Sequence, residues 1–421
     1  MKRSPMLVIF VTVFIDLIGF GIVIPVLPYY VEGTKFHAST RMVGLLFAAY
    51  SVMQLICAPV LGRLSDKYGR RPILFISLLG TSLGFLIMGV AWTLWMLFLG
   101  RLIDGITGGN ISVAYAYIAD VTTTEDRARG MGVIGAAFGM GFTFGPAIGG
   151  ILSKWGISVP LYFAAGMAFC NAILLYFVLP ETVDKEHPAR VSAATGRWTQ
   201  LVKALQQSRL AFVLSIYFLF VVAFSIMTAS FALFTMYRFG FDASQNGYVF
   251  AMVGVVGAII QGGLIGRLVK RFGELPLTIT GAFIFTLSLF TIPLIGPNTG
   301  WLMFILVGGG FAIGNSLATP SLTSLASKSV GPAEQGSVLG VTQSAASLAR
   351  VVGPTLSSLL IYSALQTQGA DGNPHNMSDH TLFATFWTAS AIMFLAFLIA
   401  LYFARSHAAE YAGREVAPVR G

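Results

Sequence analysis

The chain is 421 residues long, 56% hydrophobic and only 10% charged, with a mean hydropathy of +0.78. A soluble domain carries about 25% charged residues, so the composition excludes an ordinary water-soluble fold and points to an integral membrane protein. The formal net charge of +9 invites a nucleic-acid reading, but its placement along the chain argues for membrane sidedness instead.

A spanning helix needs about 20 mostly apolar residues. Twelve stretches meet that need: 6–30, 42–62, 73–92, 95–119, 131–153, 160–179, 210–236, 246–267, 276–295, 301–325, 336–362 and 381–404. They predict an all-α membrane protein of two six-helix bundles, residues 1–179 and 210–404, with a cytoplasmic tail over 405–421. The long polar break at 180–209, with Pro180 and Pro188, is the expected cytoplasmic linker, and Trp198 to Leu210 has the spacing of a helix lying on the membrane surface. Residues 363–380 read as an outer loop. The connections on one side collect 20 of the 26 lysines and arginines and those on the other only 4, with Arg101 and Arg350 inside spans. Basic loops stay in the cytoplasm, which predicts both termini there. The first apolar run lacks a small-residue cleavage site and is expected to be retained.

Ionisable groups in the hydrocarbon region are costly and mark function by default. Asp16 lies about ten residues into the first span, near the midplane at ~1.5 Å per residue, and is the expected proton site. Its alternative is a permanent structural pair. Arg101 and Asp104 are three residues apart in the fourth span and can share a helix face, either as a self-neutralising pair or with Arg101 exchanging partners as the acids protonate. Arg350 stands in the eleventh span without an acid of its own. A buried guanidinium needs a partner, and Asp16, Asp104 or an anionic substrate group are the choices. Gln54, Asn110, Gln261, Asn315 and Gln343 are candidate cavity residues, as are Phe231 and Phe234 among the aromatics Tyr29, Tyr50, Phe138 and Phe224. Cys57 and Cys170 fall in apolar segments and imply no disulfide.

Two stretches repeat. Gly62-Arg63-Leu64-Ser65-Asp66-Lys67-Tyr68-Gly69-Arg70-Arg71-Pro72 reads as a tight loop between spans, and returns 204 residues later as Gly266 to Pro276 with Asp66 replaced by Lys270 and Arg70 by Glu274. In the fifth span Gly132, Gly141, Gly145, Pro146, Gly149 and Gly150 are answered 208 residues later by Gly340, Ala349, Gly353, Pro354, Ser357 and Ser358. An internal repeat in hydrophobic sequence is the mark of a two-half transporter. The rows Ala137, Gly141, Gly145, Gly149 and Gly254, Ala258, Gly262, Gly266 each face one way along a helix and are expected to meet where the halves touch; the alternative is packing within one half.

Gly62 to Pro72 resembles the loop signature between the second and third helices of the major facilitator superfamily. Gly132 to Gly150 resembles the fifth-helix signature of its antiporter branches, and Arg101 with Gly105 a third signature of proton-coupled members. The fragments Asp16-x2-Gly19-x-Gly21-x3-Pro25-x-Leu27-Pro28 and Gly100 to Gly108 are similar to the twelve-span tetracycline exporters and their relatives. That resemblance implies two pseudo-symmetric bundles around a cavity between the first, fourth, seventh and tenth helices. It also implies proton-coupled export of small amphipathic or aromatic compounds. A gate is implied from Gly62, Asp66, Gly69, Arg70, Arg71 and Asp120, with Asp120 beside Arg70 and Asp66 at the N-terminus of the eleventh helix, where a carboxylate suits the helix dipole. Lys270 cannot act likewise, so the second copy of the gate is expected to be degenerate. The exporters carry acids where Gly84 and Phe285 align and a histidine where Gly257 aligns, a departure that argues against a metal–tetracycline substrate.

No phosphate-binding Gly-x4-Gly-Lys-Ser/Thr loop and no His-Glu-x2-His helix occurs. His37, His187, His375, His380 and His407 all fall in predicted loops or the tail. The expectation is therefore a non-enzyme without cofactor or metal, a monomer in a bacterial inner membrane whose partners are a small molecule, protons and lipid. The alternatives are an organic-anion carrier using Arg350 and Arg101, and a transport-inactive sensor or scaffold.

Overall fold

The computed structural model describes residues 5–33, 36–123, 127–182, 208–296, 300–330, 335–367 and 379–406. The predicted surface helix, apart from its last residues, most of the outer loop and the tail beyond Ser406 lie outside these residues. The first half contains α1 (Pro5–Glu32), α2 (Thr40–Tyr68), α3 (Arg70–Val90), α4 (Leu94–Thr107), α5 (Asn110–Val121), α6 (Arg127–Leu152) and α7 (Val159–Val178). The second contains α8 (Ser208–Phe239), α9 (Ala243–Ile259), α10 (Ile265–Phe272), α11 (Glu274–Thr291), α12 (Gly300–Lys328), α13 (Gln335–Thr367) and α14 (Asp379–Ser406). Among the described residues, nine helical stretches are long and apolar enough to cross a membrane. The consecutive pair α4 and α5, together with α6 and α13, packs among them.

Three local departures from the predicted spans have physical causes. The fourth span is two helices, because Gly108 and Gly109 break it. The eighth contains a widened π turn at Ile260–Leu264, over Gln261-Gly262-Gly263, before α10 resumes. The stretch Gly62–Pro72, read as a tight loop, is almost wholly helical: α2 runs to Tyr68, α3 starts at Arg70, and the reversal rests on Gly69 at φ 107°. Its repeat turns on Gly273 at φ 79°. Glycine is needed at both, since side chains rarely tolerate that left-handed backbone.

Between lipid-facing helices the bilayer supplies no hydrophobic drive, so association depends on close backbone approach at small residues. A Cβ placed on Gly145 of α6 would lie 2.7 Å from the Cα of Gly21 in α1. The repeat mate of that contact is Gly353 of α13, whose Cβ would lie 2.6 Å from the Cβ of Ser225 in α8. The same relation governs the seam between halves. Gly247 of α9 approaches the Cα of Gly150 in α6, and Gly44 of α2 approaches Ser358 of α13. Packing thus preserves the duplication even where the residues differ.

The row Ala137, Gly141, Gly145, Gly149 does not meet the eighth span as predicted. Gly141 approaches Leu17, Gly145 Gly21 and Gly149 Ile22, all on α1. The α6–α9 contact uses a second face carrying Gly150, while Gly139 stands beside Gln261; Gly262 and Gly266 meet nothing within 4 Å. Four-residue spacing declares a smooth face without naming its neighbour, and α6 has small residues on two faces. On the surface, Trp92, Trp95 and Trp155 are 75%, 83% and 70% exposed at the end opposite the basic loops, the position of an interfacial aromatic belt.

Replacing Gly145 with Leu drives a side chain into the α1 backbone, and overpacking of this kind costs about 1–3 kcal/mol or more. The expected outcome is a clearly lowered thermal midpoint in detergent, whereas Gly262→Ala, which meets open space, leaves the midpoint within the error of the measurement.

Candidate functional site

The membrane-embedded charges of the first half form one cluster. Arg101 and Asp104 share a face of α4, and Nη1 of Arg101 donates to Oδ2 of Asp104 at 2.9 Å. Arg101 is completely buried; its guanidinium stacks over Tyr50 at 4.3 Å and Phe47 at 5.8 Å. Its Nε donates to the Leu46 carbonyl at 3.4 Å, and Nη2 has no hydrogen-bond partner among the described residues. Asp16 of α1 accepts from Nδ2 of Asn110 at 3.2 Å. Asn110 is therefore a positioning group for Asp16, and the expectation that it lines the cavity is corrected. The break at Gly108–Gly109 makes this possible, because it frees the start of α5 to present Asn110. Gln54 fixes that break by donating to the Gly108 carbonyl at 2.9 Å and to the Tyr50 hydroxyl at 3.0 Å.

The cluster lies behind a large cavity between the halves, with a volume of about 700 Å³. Phe20 and Phe47 line the cavity, whereas Asp16, Arg101 and Asp104 do not. Walls come from the first, fourth, seventh and tenth spans as expected, and also from α2, α6, α9, α10 and α13. Gln261, Asn315, Gln343 and Arg350 line it as predicted. Phe231 and Phe234 do not: they bound a separate small apolar pocket with Phe304 and Ile295, so their placement in the substrate cavity is corrected. Sequence reading missed Phe142, Phe311 and Tyr217, which line the cavity; in a chain with 34 phenylalanines no spacing singles them out. Rings run across it from one half to the other: Phe20 to Phe142 at 5.4 Å, Phe142 to Phe224 at 5.9 Å, Phe224 to Phe311 at 5.9 Å. Gln343 also borders a second space of about 770 Å³ that reaches Ile56 and Leu348 on the outer surface of α2 and α13, and Gln54, expected in the large cavity, borders this second space instead.

The cavity extends to Ser327, Lys328 and Gln335, at the ends bearing the basic loops. At the opposite face the halves are closed. Nδ2 of Asn246 donates to the Tyr29 hydroxyl, which donates in turn to the Ala232 carbonyl at 3.4 Å, and Tyr237 donates to Glu32.

The gate residues converge within the first half. Arg70 pairs with Asp66 one turn back and with Asp120 at 2.9 Å, and its guanidinium donates to Ser65 Oγ at 2.7 Å. Glu181 accepts from the backbone N–H groups of Arg70 and Arg71, a contact for which no spacing or motif is a signal. The backbone before Gln335 is outside the described residues, as are the surroundings of Gly132 and Phe138, so capping of α13 by Asp66 falls there. The second copy keeps one of the two ion pairs of the first, and no ion pair of Lys270 answering that of Asp66 with Arg70 is found among the described residues. Glu274, the repeat mate of Arg70, pairs with Lys328, the repeat mate of Asp120. The polarity of the ion pair is inverted and the pairing kept.

At two of the positions that depart from the exporters, the residue present is closely packed and lies outside the cavity lining. A Cβ on Gly84 would lie 2.8 Å from the Gly100 carbonyl oxygen and 3.1 Å from Cβ of Asp104. Phe285 is fully buried, with its ring 4.6 Å from that of Phe311. Gly257 lines the cavity.

The sequence profile of the Major Facilitator Superfamily matches residues 9–354. The tetracycline resistance protein, class C, of Escherichia coli is 33% identical over 371 residues, covering 87% of this chain and 92% of that protein. Multidrug resistance protein 2 of Bacillus subtilis (strain 168) is 30% identical, over 85% of this chain and 89% of its own length. Among solved structures, the human organic anion transporter MFSD10 (TETRAN) aligns with a TM-score of 0.70 and 26% identity, covering 95% of this chain and 99% of that one.

The Arg101–Asp104 pair makes its own prediction. Arg101→Ala leaves a buried carboxylate unpaired, a loss of about 3–5 kcal/mol, and is expected to lower the thermal midpoint steeply. The double variant Arg101→Met, Asp104→Leu removes both charges and is expected to lie closer to wild type than either single variant; equal damage from all three would show that the pair is not the source of the effect.

Proposed function

The chain belongs to the Major Facilitator Superfamily, and we propose that it exports small amphipathic or aromatic compounds in exchange for protons by alternating access. It is a multi-pass membrane transporter and not an enzyme. The observation that carries the proposal is the juxtaposition of Asp16, Asn110, Arg101 and Asp104 with a cavity walled by Phe20, Phe142, Phe224 and Phe311. Asp16 is the proton site. Protonating it removes a negative charge beside Asp104, which changes the field at Arg101 and biases the packing of α1 against α5 and α6. The break at Gly108–Gly109, next to Asn110, borders the second space.

With the basic loops in the cytoplasm, both termini are cytoplasmic and the cavity described here opens inward. Residues 1–179 and 210–404 then rock about the seam between them, in a bacterial inner membrane and as a monomer. Closing the inner face brings Asp66 to the N-terminus of α13, while Arg70 and Asp120 hold the turn at Gly69. Opening the outer face breaks the Asn246–Tyr29 hydrogen bond and parts Gly150 from Gly247. Names of the bacterial relatives support export as the direction, and the losses at Gly84, Phe285 and Gly257 separate this cavity from one built for a metal–tetracycline chelate.

Proteoliposomes with an imposed pH gradient, tested against a panel of aromatic compounds, check the proposal. Asp16→Asn, close in shape to wild type, is expected to lose gradient-driven transport by about tenfold or more, as removal of an essential proton-transfer group does, while equilibrium binding persists. Transport by the variant at the wild-type rate would remove Asp16 from the coupling step.

A further inference from the structure

Arg350 stands midway along α13 and lines the large cavity. Its only hydrogen bond among the described residues runs one turn back along its own helix, from Nη2 to Ser347 Oγ at 3.3 Å. The two acids that sequence reading offered as partners are engaged elsewhere, Asp104 by Arg101 and Asp16 by Asn110. The titratable groups near Arg350 are Tyr217, Tyr50 and Tyr115, whose phenols carry no charge to balance it. No carboxylate pairs with it among the described residues. A guanidinium cannot shed its proton in a protein, so this is a fixed positive charge beside a low-dielectric wall, which is costly unless a partner arrives.

The rest of the lining sharpens the point. Among the described residues that line the cavity, Arg350 and Lys328 are charged and none is an aspartate or glutamate. Lys328, at the mouth, is satisfied by Glu274. Arg350 is the repeat mate of Phe142, 208 residues earlier, and both line the same cavity, so the duplication has put a ring on one wall and a cation on the other. Phe142 is in edge contact with Phe224, and both rings line the same cavity as Arg350.

We propose that the cavity binds an organic anion: a carboxylate, or a monoanion of similar shape, carried on a flat aromatic body. The head group pairs with the Arg350 guanidinium, whose planar fork matches a carboxylate, and the phenol hydroxyls of Tyr115 and Tyr217 donate to its remaining lone pairs. The ring system lies against Phe142 and Phe224. The proposal takes the large cavity as the substrate site, as the transport reading does, but it does not depend on proton coupling at Asp16.

The test is equilibrium binding of three probes with one ring system, 1-naphthoate, 1-naphthamide and 1-naphthylmethylammonium, to the full-length protein in lipid nanodiscs without a pH gradient. Wild type is expected to bind the carboxylate about tenfold more tightly than the amide, a difference of about 1.4 kcal/mol, with the ammonium weakest and the preference falling as salt rises. Arg350→Gln is expected to bring the carboxylate to within about twofold of the amide while amide affinity changes less than about threefold; Arg350→Lys keeps part of the preference. The thermal midpoint of Arg350→Gln stays level or rises, because an uncompensated charge has gone. A wild-type protein that shows no carboxylate preference or binds none of the probes, or an Arg350→Gln variant that keeps the preference, overturns the proposal. So does a steep fall in the midpoint of Arg350→Gln, which would mark the guanidinium as structural. A failure of proton coupling in the transport assay leaves these binding outcomes untouched.

Discussion

The architecture depends on backbones brought into contact at small residues. Lipid competes with side chains for apolar surface as well as another helix does, so helices adhere only where they approach closely enough to gain dispersion and to exclude acyl chains. Gly145 against Gly21 holds α6 to α1, Gly353 against Ser225 holds α13 to α8, and Gly150 against Gly247 joins the halves. The first two contacts lie within halves and fix each bundle. The third lies on the closed face and belongs to neither bundle alone. A cavity that opens at one end follows from seating the seam at the other.

Charge is the second constraint, and the two halves meet it differently. In the first half every embedded acid has a donor: Asp104 has Arg101 and Asp16 has Asn110. The aromatic faces of Tyr50 and Phe47 complete the shell around Arg101. Among the described residues the second half carries no embedded acid like Asp16 or Asp104, and its embedded guanidinium, Arg350, faces the cavity. One half thus holds a self-contained polar cluster behind an aromatic wall, and the other offers an unbalanced charge to whatever enters. At the membrane surface the halves converge again, since Arg70–Asp120 and Glu274–Lys328 are one ion pair written with opposite signs. An ion pair is indifferent to exchange of its ends, so duplication followed by paired reversal preserves it.

The second space, between α2 and α13, bears on how an amphipathic compound would arrive. It borders Gln54 and Gly109 on one side and reaches lipid-facing Ile56 and Leu348 on the other. Tyr115 and Gln343 line both spaces. The helix break beside the Asp16 cluster therefore borders a space that also faces the acyl chains.

The residues themselves determined membrane residence, the run of spans, the duplication and the identity of nearly every embedded charge, because each depends on local composition or on spacing along one helix. Hydrocarbon thickness sets segment length, and the cost of burying charge makes the exceptions conspicuous. Only the tertiary structure decided which neighbour each small-residue face meets, as the reassignment of Gly141, Gly145 and Gly149 to α1 shows. It also decided that Asn110 serves Asp16, that Phe142 and Tyr217 rather than Phe231 and Phe234 line the cavity, and that Arg350 has no acidic partner. These depend on how helices rotate and cross, and a helical period says which residues share a face without saying what that face will touch.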